Sequence, residues 1–248
     1  IPLNNLIIRK KYQGEECKMI PKKIHYCWFG GNKKSKLVMK CITSWKKFFP
    51  DYEIVEWNEG NTDLHENKYI ERAYQLKKWA FVSDYVRMKV LYDYGGIYFD
   101  TDVEVIRSFP DDLLKLPAFT GIESFSLLVS PGLVFACESG NVVAKMMMDS
   151  YNRDIFENTG IDTIKTINVR ITELLVCNGF EPCEKKQTVL DVTVFPSSVF
   201  CAYDGKIRRI NIREDTLSVH HYAASWLPWY RKIRLFFGTK LRHIGILK

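Results

Sequence analysis

Residues 79–103 constrain the fold of this 248-residue chain more than any other segment. Residues 79–93 (WAFVSDYVRMKVLYD) are apolar on nearly all sides at helical spacing, which predicts a buried helix. Gly95 follows as a C-terminal cap in the left-handed region, and Gly96 opens the run 97–103, which is rich in strand-forming residues. A buried helix that leads directly into a buried strand predicts a sheet covered by helices.

The rest of the sequence repeats this alternation of strands and helices. Predicted strands cover residues 24–29, 52–57, 97–103, 118–123, 133–137, 192–195 and 217–222, and predicted helices cover 36–48, 66–77, 79–93, 141–157 and 165–178. This order predicts an α/β fold with a mostly parallel central sheet flanked by helices. Ligands of such sheets bind beyond the carboxyl ends of the strands.

Composition sets further limits on class and compartment. The chain is 46% hydrophobic and 14% aromatic, which is enough for one globular domain with a large core, expected over residues 19–229. No run of 18 apolar residues occurs, so no membrane-spanning helix is expected. The seven cysteines are odd in number and contain no Cys-x-x-Cys, which favours reduced thiols in a cytoplasmic protein over a disulfide framework or a zinc site. Neither a dinucleotide-binding Gly-x-Gly-x-x-Gly nor a P-loop is present.

The two ends of the chain differ from its body. Residues 226–248 carry six basic residues and no acidic one, out of a net charge of +7. Aromatic and aliphatic residues are interleaved with them, so segment 230–248 is interpreted either as a peripheral contact with an anionic membrane surface or as a helix packed on the core. Nucleic acid is not an expected partner, because the rest of the chain lacks supporting charge. Residues 1–18 lack periodicity and precede Met19, and we expect them to be a translated leader with Met19 as the true start.

Two acidic residues near the end of the predicted strand 97–103 are candidate metal ligands. Alternate residues of a strand share a face, so Asp100 and Asp102 are expected to point the same way. Carboxylate oxygens suit Mg²⁺ or Mn²⁺, which keep coordination positions open for phosphate oxygens. The Asp-x-Asp triplet alone is a weak signal, and the interpretation depends on the helix and the glycine pair that precede it.

Two further polar groups accompany this pair. Asp84 and Arg87 lie three residues apart on one face of the buried helix, so they must pair with each other or meet a ligand. A helical ion pair is the commoner outcome. His220 and His221 are adjacent on a predicted strand and face opposite sides, so at most one of them is expected to reach a metal. A histidine in such a place is more often a satisfied polar group than a ligand.

Four segments together resemble glycosyltransferase family 32: IPKKIHYCWFGG (20–31), SWKKFFPDYEIVEWN (44–58), AFVSDYVRMKVLYDYGGIYFDTDV (80–103) and HHYAASW (220–226). This family contains Asp-x-Asp sugar transferases, including bacterial enzymes of capsular and exopolysaccharide synthesis. The chain is also similar, more distantly, to the glucosyltransferase domain of large clostridial toxins. The resemblance implies a GT-A fold and transfer of a hexose or N-acetylhexosamine from a nucleotide-sugar with retention of configuration.

The resemblance also implies roles for individual residues. Asp100 and Asp102 would hold Mn²⁺ or Mg²⁺ against the donor diphosphate, while Asp84 and Arg87 would hold the donor sugar. Asp84, Arg87 and Asp102 are the expected catalytic residues. The remaining implied residues are a further metal ligand, His221, chosen over His220, and the donor contacts Trp28, Tyr98, Ser225 and Trp226.

The sequence leaves the donor, the acceptor and two alternative functions open. A UDP-sugar is the favoured donor, and a glycan, expected to be lipid-linked, is the favoured acceptor in capsular or surface polysaccharide synthesis. Glu123 and Glu138 are possible cleft carboxylates, although ordinary polar positions are the commoner outcome. A magnesium-dependent phosphatase of the haloacid dehalogenase type would want Thr or Val where this chain has Glu104. A non-catalytic carbohydrate- or membrane-binding module would not need the buried pair Asp84 and Arg87.

Overall fold

The structure is a computed structural model that describes residues 19–157, 165–204 and 209–223. The predicted leader 1–18, the basic segment 230–248 and two predicted donor contacts, Ser225 and Trp226, lie outside the described residues.

A seven-stranded sheet forms the centre of the described chain. Its strands are β1 (Lys23–Cys27), β2 (Glu53–Trp57), β3 (Gly96–Tyr98), β5 (Ala118–Gly121), β6 (Phe135–Cys137), β7 (Gln187–Val189) and β8 (Val192–Phe195), in the order β2-β1-β3-β6-β5-β8-β7. β2, β1, β3, β5 and β8 run in one direction, whereas β6 and β7 run in the opposite direction. The predicted α/β class is therefore confirmed, and the sheet is mixed, with five of its seven strands running in one direction.

Helices cover both faces of this sheet. They are α1 (Lys36–Phe48), α2 (Lys68–Gln75), α3 (Trp79–Tyr94), α4 (Asp111–Leu114), α5 (Val142–Asn152), α6 (Ile167–Val176) and α7 (Ser197–Phe200). Strand β3 shows the layering, since Tyr98 packs in the apolar cluster around α3, while Ile97 packs with Trp45 of α1 on the other face. None of the helices in the described ranges has the length and apolar character needed to cross a bilayer.

The predicted strand 97–103 is divided in the structure. β3 ends at Tyr98, and the chain then turns, with the Val103 N–H donating to the Asp100 carbonyl at 3.0 Å. A second strand, β4 (Val103–Val105), lies outside the central sheet and pairs with β11 (Ser218–His220) in a two-stranded sheet. Another two-stranded sheet is formed by β9 (Tyr203–Asp204) and β10 (Arg209–Ile210). The predicted strand through Asp100 and Asp102 is thus wrong, because they lie in the turn between two strands, although their carboxylates still converge as expected.

The end of α3 depends on glycine. Gly95 has φ +63° and ψ −167°, and its N–H donates to the Leu91 carbonyl at 2.9 Å. This backbone conformation is almost exclusive to glycine, and its ψ lies outside the left-handed helical region expected from the sequence. A Cβ at this position would stand 2.6 Å from the backbone nitrogen of Ser139. The predicted helix cap is confirmed, and it directs the chain from α3 into β3.

Candidate active site

Three side chains that could hold a metal ion converge at the carboxyl end of β3. Asp100 and Asp102 come from the turn after β3, and His220 is the last residue of β11. The antiparallel pairing of β4 with β11 sets His220 opposite Val103, the residue after Asp102. One ligand atom from each of the three side chains lies within 4.8 Å of the other two. We call these three residues the acidic cluster.

Asp102 and His220 form the most buried contact of this cluster. The His220 Nε2 lies 3.0 Å from the Asp102 Oδ1, and the Ala223 N–H donates to the Asp102 Oδ2 at 2.8 Å. Burial alone would raise the pKa of Asp102, but the charge and hydrogen bond of His220 and the bond from Ala223 lower it to about 2. Burial would likewise lower the pKa of His220, and Asp102 raises it instead. A full negative charge is therefore held at Asp102.

The structure selects a different histidine from the one chosen on sequence. The ring of His221 points to Glu104, with its Nε2 2.8 Å from the Glu104 Oε2, and Lys40 contacts the same carboxylate oxygen at 2.7 Å. Neighbouring residues at the end of a strand face opposite sides, so when His220 faces Asp102, His221 faces away. The sequence-based choice of His221 as the further metal ligand is not the arrangement in the structure.

The acidic cluster fits a divalent cation. The two carboxylates supply hard oxygen ligands of the kind that suit Mg²⁺ or Mn²⁺, and the imidazole of His220 adds one nitrogen ligand. The other ring nitrogen of His220, Nδ1, is buried and has no hydrogen-bond partner among the described residues. Protein groups in the described chain therefore do not fully satisfy this ring, as expected for a side chain whose polar atoms serve a ligand.

Arg87 connects the acidic cluster to the buried helix α3. Its Nη2 lies 3.0 Å from the Asp100 Oδ1 and 3.3 Å from the Asp84 Oδ1, and its guanidinium lies 4.7 Å from the centre of the Tyr98 ring. The Tyr98 hydroxyl donates to the Asp100 Oδ1 at 3.2 Å. Burial raises the pKa of Asp84 to about 6, against the effect of Arg87. Four of the residues predicted from the sequence, Asp84, Arg87, Tyr98 and Asp100, are thus in one contact network.

Gly132 provides the space that Asp100 occupies, and sequence reasoning did not identify it. Its carbonyl accepts the Asp100 N–H at 2.9 Å. A Cβ at Gly132 would stand 2.0 Å from the Asp100 Oδ2 and 3.1 Å from the Arg87 Nη1. No local pattern marks this glycine, because the contact joins segments that are separate along the chain.

Glu123 lies in a second buried polar group close to the acidic cluster. Its Oε2 accepts from the Ser126 hydroxyl at 2.8 Å, and its Oε1 accepts from the Asn168 amide at 3.0 Å. The same amide donates to the Ser130 hydroxyl at 3.2 Å. Burial raises the pKa of Glu123, and the nearby His220 opposes that shift. Sequence reasoning had favoured an ordinary polar position for Glu123, and it had not selected Asn168.

The two other candidates lie at different places on the sheet. Trp28 follows β1 at the same edge of the sheet as Asp100, and its indole N–H donates to the Asn32 carbonyl at 2.7 Å. It stays a predicted donor contact. Glu138 follows β6, which is antiparallel to β3 and pairs its Cys137 with Gly96, the first residue of β3. Glu138 is therefore at the opposite edge of the sheet from the acidic cluster.

Comparison with known proteins relates the segment that carries the Asp-x-Asp motif to a described family. The model of a family described as "glycosyltransferase sugar-binding region containing DXD motif" matches residues 35–120, which include Arg87 and both aspartates of the acidic cluster. "Subversion of eukaryotic traffic protein A" of Legionella pneumophila is 25% identical and is matched over 59% of this chain and 28% of its own length. "Inositol phosphoceramide mannosyltransferase 3" of Schizosaccharomyces pombe is 34% identical, over 40% of this chain and 29% of its own length. The chain thus spans less than a third of either relative.

Solved structures with a similar arrangement include "PaToxG Glycosyltransferase", with a TM-score of 0.49 at 20% identity, covering 64% of this chain and 69% of that one. The galactosyltransferase LgtC, solved with donor and acceptor sugar analogs, has a TM-score of 0.43 at 13% identity, covering 91% of this chain and all of that one (100%). The family match on the segment that carries the Asp-x-Asp motif confirms the resemblance stated from the sequence. Over residues 35–120, this chain is similar to the glycosyltransferases whose sugar-binding region contains that motif.

Proposed function

We propose that this chain transfers a sugar from a nucleotide-sugar to an acceptor glycan with retention of anomeric configuration. The observation that carries the proposal is the convergence of Asp100, Asp102 and His220 beside the buried Arg87. Departure of a nucleotide from a sugar builds negative charge on the diphosphate, and preorganised positive groups at that place lower the barrier. A UDP-sugar is the donor that we favour.

The acidic cluster would hold Mn²⁺ or Mg²⁺, and such an ion, when bound, stabilises charge on a diphosphate as a Lewis acid. Arg87 would orient Asp100 and add positive charge, since its pKa is held above the usual value by Asp100, Tyr98 and Asp84 despite burial. Asp84 would accept a hydroxyl of the donor sugar. Asp84 and Asp100 are both paired with Arg87, which makes either of them a weak nucleophile. We therefore favour attack by the acceptor hydroxyl on the face that the diphosphate leaves, with the diphosphate taking its proton.

The acceptor and the cellular place are part of the same proposal. A lipid-linked glycan in surface or capsular polysaccharide synthesis is the acceptor that we favour, and the name of the yeast relative, an inositol phosphoceramide mannosyltransferase, supports a membrane-borne acceptor. That name also makes GDP-mannose a donor to test beside the UDP-sugars. The basic segment 230–248 would keep a cytoplasmic enzyme at an anionic bilayer. Removal of 230–248 should weaken its sedimentation with anionic vesicles, and unchanged sedimentation would contradict the membrane role.

The activity is tested by nucleotide release from UDP-glucose, UDP-galactose, UDP-N-acetylhexosamines and GDP-mannose with Mn²⁺, with p-nitrophenyl phosphate as a parallel substrate. Asp102→Asn should lower nucleotide release at least about 100-fold, because it removes a charged ligand from the acidic cluster. Asp149→Asn is the matched control, since Asp149 forms an exposed pair with Lys145 on α5.

Two results would favour the alternatives over a glycosyltransferase. Hydrolysis of p-nitrophenyl phosphate without nucleotide release would indicate the phosphatase. Absence of both reactions, with sugar binding retained, would indicate a non-catalytic module.

A further inference from the structure

A partly exposed aromatic group lies beside the acidic cluster and has no role in the function proposed above. Phe125, Tyr203 and Tyr222 are in mutual contact, with ring centres 5.6 Å apart for Phe125 and Tyr222 and 5.1 Å apart for Tyr203 and Tyr222. Phe125 is 55% exposed. We call these three residues the aromatic wall. Exposed apolar patches rimmed by polar groups commonly mark binding sites.

The aromatic wall is continuous with the acidic cluster. The rings of Tyr222 and His220 are 4.0 Å apart, and His220 contacts Asp102. The Tyr222 hydroxyl is engaged with the Cys201 Sγ at 3.1 Å, which fixes the ring. A molecule lying on the wall would therefore lie directly next to the acidic cluster.

Phe125 is held in place by a closed loop. The Glu123 N–H donates to the Leu128 carbonyl at 2.9 Å, and the Leu127 N–H donates to the Glu123 carbonyl at 2.9 Å. The Ser124 hydroxyl donates to the Tyr203 carbonyl, which ties the loop to the rest of the wall. An exposed phenylalanine at the tip of a fixed loop is preorganised for contact, because little conformational freedom remains to be lost on binding.

The position of the wall across the sheet distinguishes it from the expected donor site. Trp28, the predicted contact of the donor base, follows β1, while Phe125 follows β5. In the order β1-β3-β6-β5, the acidic cluster at the end of β3 lies between them. A donor that extends from Trp28 to the cluster leaves the β5 side free. The buried Glu123 and the half-buried Asn168 on that side accompany the aromatic surface, as in sites that bind polar ligands with an apolar face.

We propose that the aromatic wall binds the acceptor saccharide, with a hexose ring lying against Phe125. The apolar C–H face of a hexose matches an aromatic ring, whereas its hydroxyls need polar partners at the edge. This inference rests on the proposed function, since it assigns the second substrate of that reaction. It adds a binding site on the β5 side that the family match does not identify.

The test measures saccharide binding and donor hydrolysis separately. Saturation-transfer NMR with methyl glycosides of glucose, galactose, mannose and N-acetylglucosamine should detect binding to the wild-type protein. Phe125→Ala should weaken that binding about tenfold, through loss of the aromatic contact. Phe125→Tyr should retain it. Ile155→Ala, which removes a side chain 66% exposed in the loop after α5, is the control for loss of exposed apolar surface.

Nucleotide release without acceptor should remain within about twofold of the wild-type rate in Phe125→Ala, because hydrolysis uses only donor and water. Saccharide binding that is absent from the wild type, or unchanged in Phe125→Ala, would overturn the acceptor site. A loss of nucleotide release in Phe125→Ala as large as its loss of saccharide binding would also overturn the acceptor site, because it would indicate that Phe125 contacts the donor. Failure of the proposed function is distinguishable, since it would abolish nucleotide release in the wild type and leave the binding measurement intact.

Discussion

At the scale of single residues, Gly132 leaves space for the Asp100 carboxylate because it has no side chain. A Cβ there would stand 2.0 Å from the Asp100 Oδ2, a distance that no pair of unbonded atoms tolerates. Gly132→Ala should therefore displace the carboxylate and lower kcat/KM for donor hydrolysis about 100-fold, as expected for a shift of roughly 1 Å in a catalytic group. Nucleotide release and Mn²⁺ affinity are the measurements.

The control for this substitution is Gly60→Ala, in which the new Cβ would meet, among the described residues, only the Asn58 Oδ1, at 3.2 Å. It should retain wild-type activity. Circular dichroism of Gly132→Ala should show the native fold, so that a loss of activity is a local effect. Wild-type activity and Mn²⁺ affinity in Gly132→Ala would show that Asp100 is not held in the position described.

The buried His25 should make the stability of the folded protein depend on pH, independently of the acidic cluster. Its Nδ1 accepts from the Trp57 indole at 3.1 Å and its Nε2 lies 2.8 Å from the Gly95 carbonyl, so the buried ring is neutral. Burial lowers its pKa from 6.5 to about 4. Between these values the unfolded chain binds a proton that the folded chain does not. Stability from this residue should therefore fall by about 1.4 kcal/mol for each pH unit below 6.5 and level off near pH 4.

Urea unfolding between pH 7.5 and 4.5 measures how the free energy of unfolding changes with pH. This change should be smaller in His25→Gln, which has no titrating ring. NMR of the His25 Cε1–H should show no titration above pH 5. A titration midpoint near 6.5 would contradict the neutral, buried ring.

Residues of the site differ in how far the sequence could predict them. Asp84 and Arg87 were identifiable because two charges on a helix that is otherwise apolar require a partner or a ligand. The contact of Arg87 with Asp100 was not, because it depends on how α3 packs on β3. Gly132 and Asn168 carried no local signal, and their roles became visible only where the folded chain brings them to Asp100 and Glu123.

At the scale of elements, prediction succeeded where the signals were local. Helix α1 has the predicted bounds, 36–48, because Ser35 caps it and Pro50 follows it. The strand 97–103 was predicted as continuous because its residue types favour a strand throughout. In the structure β4 pairs with β11, far along the chain, instead of continuing in the central sheet. β7, α4 and α7 were not predicted, since segments of three or four residues have too little periodicity.

The connection from α3 to β3 gives an element-scale prediction. Gly95→Ala should destabilise the protein by more than about 1–3 kcal/mol, the cost of the backbone conformation, because the Cβ also meets the backbone of Ser139. Gly140→Ala is the matched control, since Gly140 has φ +79° and no atom of the described part of the chain lies within 4 Å of its Cβ position. Urea unfolding should therefore show a larger loss for Gly95→Ala. Equal losses would mean that Ser139 moves aside without cost.

At the scale of the whole molecule, the site is assembled from distant parts of the chain. Asp100 and Asp102 follow the central strand β3, and His220 lies on β11, more than 100 residues later in the chain. The short pairing of β4 with β11 brings them together, and composition and periodicity could not specify it. A choice between His220 and His221 needed the register of that pairing, in which His220 lies opposite Val103.

Because a cation held by this cluster would bind only the folded chain, it should stabilise the whole molecule. At a Mn²⁺ concentration of 100 Kd the expected gain is about 2.7 kcal/mol, or about 5–10 °C in Tm for a chain of this size. EDTA should reverse the shift. His220→Gln should lose most of it, because His220 lies within the acidic cluster, whereas His221→Gln should retain it, because His221 faces Glu104. Thermal unfolding with and without Mn²⁺ requires no knowledge of donor or acceptor. A shift lost in His221→Gln but kept in His220→Gln would reverse the assignment of the two histidines, and the register of β11 against β4 would then be wrong as well.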